Sequence, residues 1–293
     1  MSKDKDFKVK EAIESTHDEP QQIDTIASIR GWFGPDNDSP YYPLIKQYLA
    51  SSHSLSETAS KLSDTSAKEK SKKEGSSDLD LLYSILHSAK RIPWRNTSDH
   101  AKLVDLVKRL KDDVDNFQGL PQWGMAFREV WNDCPGVGAG YSEPEAHAWA
   151  NINYFCARME QEKMWGNFEP LYGLWAMRDA LEEEVKDDGP NDAHIPGTTA
   201  EKYNAKIPAA AVWAIALGKS LYDFEKDMTP KEANYGNPAR GGKLWKGKAE
   251  FSKERWAFWK KRFGEISQKE EPSEDTRKIA NEAYEAMEQA EES

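Results

Sequence analysis

The stretch IPAAAVWAIALG, Ile207 to Gly218, is apolar on every side. A helix without a polar face has to sit among neighbours all around it, so this segment calls for partner helices. The rest of the sequence supplies them. Leu79, Leu82, Leu86 and Ala89 recur at three and four residues, with Asp78 placed to cap the start. Leu103, Leu106, Val107 and Leu110 repeat the pattern behind Ser98, and Phe127, Val130 and Trp131 form a third face. No segment alternates at period two, and β-branched runs are absent. The predicted fold is all-α, an irregular multi-helix bundle around a buried central helix at about 207–218.

The chain divides by composition. Residues 1–49 read as an N-terminal segment packing on the core. There GWFGPDNDSPYYP punctuates a loop before Leu44, Ile45, Tyr48 and Leu49 form one short helical stripe. Residues 50–78 are rich in Ser, Lys and Glu; Leu55, Ala59 and Leu62 allow a weak helix, but two leucines do not offset the entropy of ordering the stretch at about 1–2 kcal/mol per residue. A flexible linker or insertion is expected. Residues 79–264 form the helical core domain. Beyond QKEEPSED, Ile279, Ala283, Met287 and Ala290 give 272–293 an amphipathic helix that either docks on the body or meets a protein partner.

Several function classes are disfavoured. A formal net charge of −11 opposes phosphate backbones and anionic bilayers, so no nucleic-acid or membrane partner is expected. No run of about 18 apolar residues occurs. MSKDKDFKVKEAIES has no apolar signal-peptide core, which makes a cytoplasmic location the expectation. Cys134 and Cys156 form no ligand spacing, and the histidines stand singly, so neither metal nor cofactor is expected. LGKSLY matches the end of a phosphate loop, but Trp213 stands where the first glycine is required and a helix precedes it. Helix termination or a close helix crossing explains Gly218 more simply. FSKERWAFWKKRF mixes cations with aromatics, yet Trp256, Trp259 and Phe263 have the spacing of a buried stripe, with the cations on the solvent side.

The helix carrying HAWANINYFCARME, His147 to Glu160, opens with a capping box, Ser142 to Glu145, which favours a simple turn over a phosphate site in the preceding CPGVGAG. Trp149, Ile152, Phe155, Cys156 and Met159 share one face of this helix. Asn151 and Asn153 lie on its shoulders, and Arg158 lies further round. His147 is the candidate general base, against the plainer reading of a first-turn or surface histidine. In EPLYGLWAMRDALEE, Arg178 falls near the middle of the face built by Leu171, Leu174, Trp175, Met177 and Leu181. A charge there needs a carboxylate, several carbonyls or an anionic ligand. A pocket would open where the Asn shoulder meets the helix bearing Arg178 or the one bearing Trp213.

In their order, EAHAWANINYFCARM, LYGLWAMRDALEE, IPAAAVWAIALGKSLY and LWKGKAEFSKERWAFWKKRF resemble the fungal DUF3632 family, a domain of unknown function. The resemblance runs from about Leu79 to Phe263 and is most specific at Trp245, Arg255, Trp256, Trp259 and Phe263. It implies a helical domain of a fungal intracellular protein and transfers no catalytic residue. The leading expectation is binding of a small aromatic or anionic ligand in a Trp-lined inter-helical pocket of Arg178, Arg158, Asn153, Asn151, Trp149, Trp175 and Trp213. The alternatives are a cofactor-independent isomerase or cyclase, and a non-catalytic protein–protein interaction module.

Overall fold

A computed structural model describes residues 2–72, 78–164, 166–189, 195–232, 234 and 236–293. Among them are thirteen α-helices and one two-stranded ladder, so the fold is all-α. The chain divides into two compact units, Met1–Ala139 and Gly140–Ser293. The span 79–264, expected as one core domain, is therefore shared between them.

The first unit holds α1 (Ser2–Ser15), α2 (Glu19–Arg30), α3 (Tyr42–Leu49), α4 (Leu55–Lys72), α5 (Leu79–Arg91), α6 (Thr97–Asp112), α7 (Val114–Phe117) and α8 (Trp123–Val130). Its centre is α5, whose Leu81, Leu82, Ile85, Leu86 and Ala89 are fully buried against α2, α3, α6 and α8. The helices α1 and α2 form a hairpin at the N-terminus. Gly31 ends α2 in the left-handed conformation, its amide returning to the Ala27 carbonyl.

Most of the Ser/Lys-rich stretch expected to be flexible is α4. Its Thr58, Ala59, Leu62 and Ser66 are buried at helical spacing, and polar anchors hold the rest. Ser63 donates to Asp113, Ser66 to Asp78, and Lys70 to both Asp78 and the Asn116 carbonyl. Counting leucines misses a face made of small residues and hydrogen bonds. Residues 73–77 of that stretch lie outside the described residues. The anchoring also removes Asp78 as a cap for α5, because its carboxylate serves α4 instead. Asn96, two residues ahead of Ser98, caps α6 by accepting from the Asp99 amide.

The second unit contains α9 (Glu143–Gln161), α10 (Leu171–Leu181), α11 (Thr199–Tyr222), β1 (Lys226–Asp227), β2 (Glu250–Phe251), α12 (Lys253–Ser267) and α13 (Glu274–Glu292). The central helix is α11, and every residue from Ile207 to Ala214 is buried. It packs against α9, α10 and α13, and its run of alanines lets those neighbours come close. Gly218 has φ +39° inside α11 and kinks it, with open space where a side chain would stand. That excludes a close crossing as its reason and leaves the backbone break. The helix α13 docks Ile279, Ala280, Ala283, Met287 and Ala290 against α11 and α12. The ladder pairs Lys226 with Phe251 and Asp227 with Glu250, antiparallel. Among the described residues, no helix is long and apolar enough to cross a membrane.

Candidate functional site

The capping box forms as expected, and it settles the loop before α9. Glu145 accepts from the amide and hydroxyl of Ser142, and also from the Gly140 amide at 2.8 Å. A backbone donor that an anion would use is thus already taken by a carboxylate.

Five of the candidate residues fall into two groups on different sides of α10. In the first, Asn153 donates through Nδ2 to the Trp149 carbonyl at 2.9 Å, and its Oδ1 accepts from Trp213 Nε1 at 2.8 Å. All three residues are buried. The Trp213 indole lies against Gly173 of α10 so closely that a Cβ there would stand 2.6 Å from its Cε3. Glycine is required for that approach.

Trp175 and Arg178 lie about 200° and 140° round α10 from Gly173, at about 100° per residue. They face the chain that follows β1. Trp175 Nε1 donates to the Pro238 carbonyl at 2.8 Å, and Arg178 Nη1 donates to the carbonyls of Pro238 and Arg240 at 3.2 and 3.3 Å. Arg178 is half-buried rather than central to the packed face, which consists of Gly173, Leu174, Ala176, Met177, Ala180 and Leu181. Burial, and the Arg240 charge nearby, lower its pKa from the usual guanidinium value.

The remaining candidates lie on α9. Asn151 is buried and His147 is half-buried, both engaged in interactions within the protein. Arg158 is half-buried, and its Nε is enclosed without a hydrogen-bond partner. Among the described residues, no group of three His, Cys, Asp or Glu side chains is placed to hold a metal ion.

A cluster absent from the sequence reading dominates the electrostatics of this unit. Glu182 follows the last residue of α10, Arg255 lies in the first turn of α12, and both are fully buried. Arg255 Nε and Nη2 donate to the two Glu182 oxygens at 2.7 and 3.0 Å. Glu182 also accepts from Trp259 Nε1 at 2.7 Å and from the Gly242 amide at 2.8 Å. The rest of the guanidinium is used on the carbonyls of Ala239, Glu250 and Arg240. Arg255 is therefore a buried residue, not one of the solvent-side cations of α12. The signal was available: Arg255 and Trp259 are four residues apart, within about 40° on a helix. Glu182 is one of three consecutive glutamates, and no spacing rule selects it. Trp256, Trp259 and Phe263 are buried as the stripe requires.

The first unit has its own buried charges. Lys90 pairs with Asp133 at 2.5 Å and lies 4.8 Å from the Trp32 ring centroid. Asp24 accepts from Tyr42 and pairs with His87 and Arg91 at 2.8 and 2.9 Å. His87 Nδ1 is buried without a partner, and burial pulls the imidazole pKa below its usual value.

An open depression of about 540 Å³ lies in the first unit. Tyr48, Ser51, His53, Glu57 and Lys102 are among the residues lining it. None of the candidate residues borders it.

The family model described as protein of unknown function (DUF3632) matches residues 82–263, close to the expected 79–263. No curated protein and no solved structure matches the chain.

Proposed function

From the premise that the chain belongs to the DUF3632 family, we propose that it is a non-catalytic interaction module, a helical scaffold that presents surface segments to a partner. The observation that carries this reading is the closure of the candidate polar groups on the protein itself. Asn153 is spent on Trp149 and Trp213, while Trp175 and Arg178 hold backbone carbonyls. A catalytic or ligand pocket needs polar groups left free to meet a substrate, and these are engaged. An isomerase or cyclase would need a guanidinium, Arg158 or Arg178, to hold a developing oxyanion, and Arg178 Nη1 is spent on the Pro238 and Arg240 carbonyls.

One observation favours a second reading, in which a small anionic ligand binds at the end of α9. Arg158 Nε is enclosed and unpartnered, and a buried donor without an acceptor costs about 1–3 kcal/mol. Native mass spectrometry of the protein purified from its own source separates the two. The expected result is the chain alone or in complex with another polypeptide. A retained small molecule that Arg158→Met releases would overturn the interaction reading in favour of the second.

A further inference from the structure

The segment Pro238–Lys248, PARGGKLWKGK, carries four cations and no acid in a chain whose net charge is −11. Arg240, Lys243, Lys246 and Lys248 are all exposed. Among the described residues, Arg240, Lys243 and Lys246 have no carboxylate within ion-pair distance, and Lys248 reaches Asp227 at a loose 3.9 Å. Elsewhere on this surface cations are commonly matched, as Lys260 is to Glu291 and Lys278 to Glu274. An unmatched run of like charge costs self-repulsion.

The backbone beneath these cations is fixed. Pro238, Ala239 and Arg240 give their carbonyls to Trp175, Arg178 and Arg255. The amides of Gly242 and Leu244 donate to the Glu182 carboxylate and carbonyl, each at 2.8 Å. Trp245 donates to the Lys248 carbonyl, and a Cβ at Gly241 or Gly247 would run into its indole. The loop is thus built on the buried Glu182–Arg255 pair, with its charged side chains left outside. A surface ordered beforehand avoids paying the entropy of ordering on association.

We propose that this loop is the partner-facing surface of the module and that it docks an acidic polypeptide segment. The inference rests on the interaction reading above and names its site and the chemistry of its partner. A short acidic segment meets the cations locally. A duplex, with about one charge per 1.7 Å of its axis, extends its field over the rest of an acidic protein. Single strands bind by stacking bases on open aromatic faces. Trp245 is half-buried, clasped by its flanking glycines and packed edge-on against Phe258 at 5.6 Å.

The test uses the full chain and a fluorescein-labelled Glu/Ser peptide, with anisotropy read at low and at physiological salt. Binding of the peptide, weakened by salt, is expected. The variant Lys243→Glu/Lys246→Glu/Lys248→Glu is expected to weaken it about tenfold or more, since three exposed charge contacts are reversed. Lys10→Glu, on an exposed position of α1, is the charge-matched control for the single variants below and leaves binding unchanged. Circular dichroism checks the fold, and if the triple variant unfolds, Lys243→Glu and Lys246→Glu each carry the test with a smaller loss. The proposal is overturned if the wild-type chain does not bind the peptide, if the variants bind it equally well, or if oligothymidine binds more tightly. A polypeptide partner seen by native mass spectrometry that still binds the triple variant would leave the interaction reading standing and remove this surface from it.

Discussion

Replacing Arg255 by Met keeps most of the side-chain volume and removes the charge that Glu182 faces. Both groups are fully exluded from solvent, so the variant leaves a buried carboxylate with two neutral donors, Trp259 Nε1 and the Gly242 amide. Breaking a buried pair from one side costs about 3–5 kcal/mol. The carbonyls of Ala239 and Glu250 also lose their donor, which places Arg255→Met toward the upper end of that range. In a unit of this size the melting temperature falls by about 2–4 °C per kcal/mol, a drop of roughly 10 °C or more. Glu182→Met is expected to cost a similar amount, since it strands the guanidinium. The double variant Glu182→Met/Arg255→Met leaves no unpaired charge at this site, and its loss should be smaller than the sum of the single losses by about 2 kcal/mol or more. Urea unfolding followed by tryptophan emission measures all three, because Trp213 and Trp259 are buried in this unit. An Arg255→Met protein within about 1 kcal/mol of wild type, or single losses that simply add, would refute the clasp. Hydrogen exchange gives a second reading of the same variant, with the amides of Gly242 and Leu244 losing protection.

Two further outcomes follow from particular contacts. Gly173→Ala puts a Cβ 2.6 Å from a Trp213 ring that is fully buried and tied to Asn153. Overpacking costs about 1–3 kcal/mol, against a gain of up to about 1 kcal/mol in helix propensity, so a lower melting temperature is expected and an unchanged or raised one refutes the tight approach. In the first unit, burial depresses the His87 pKa below its unfolded value of about 6.5. The unfolded chain then binds the proton more readily, so the contribution is fully present above about pH 6.5 and is lost as pH falls through the folded pKa. The charged groups around the ring are Asp24, which opposes that shift, and Lys90 and Arg91, which add to it. Urea midpoints for the first unit should fall from pH 7.5 to pH 5.5, and His87→Gln should flatten that slope; equal slopes for both proteins would rule the account out.

Periodicity carried the fold because burial of an apolar stripe needs no information beyond spacing. Ile207–Gly218, the α5 and α6 stripes and the C-terminal helix follow from it directly. At α4 it gives only the weak stripe of Leu55, Ala59 and Leu62; Ala59 and Leu62 share a buried face with Thr58 and Ser66, and the holding contacts are hydrogen bonds to Asp78, Asp113 and Asn116. Asp113 and Asn116 lie about fifty residues away and Asp78 at the far end of the same stretch, so composition alone makes the segment look unfolded.

The candidate site failed to be legible for a different reason. Asn, Trp and Arg have the same chemistry whether they meet a ligand or another part of the chain, and the geometry that decides is tertiary. Gly173 brings Trp213 within reach of Asn153 by removing a side chain, and the same helix sends Arg178 the other way. The block most specific in the resemblance, Trp245 to Phe263, now has a physical content. Arg255 and Trp259 hold Glu182, Glu182 holds Gly242 and Leu244, and Trp245 closes the loop onto the Lys248 carbonyl. The aromatic and cationic residues of this block and the loop leading into it divide by depth: Arg255 and the tryptophans build the support, while Lys243, Lys246 and Lys248 stand outside it. A substitution among the first group should therefore disturb folding and binding together, and one among the second should alter binding with the fold intact.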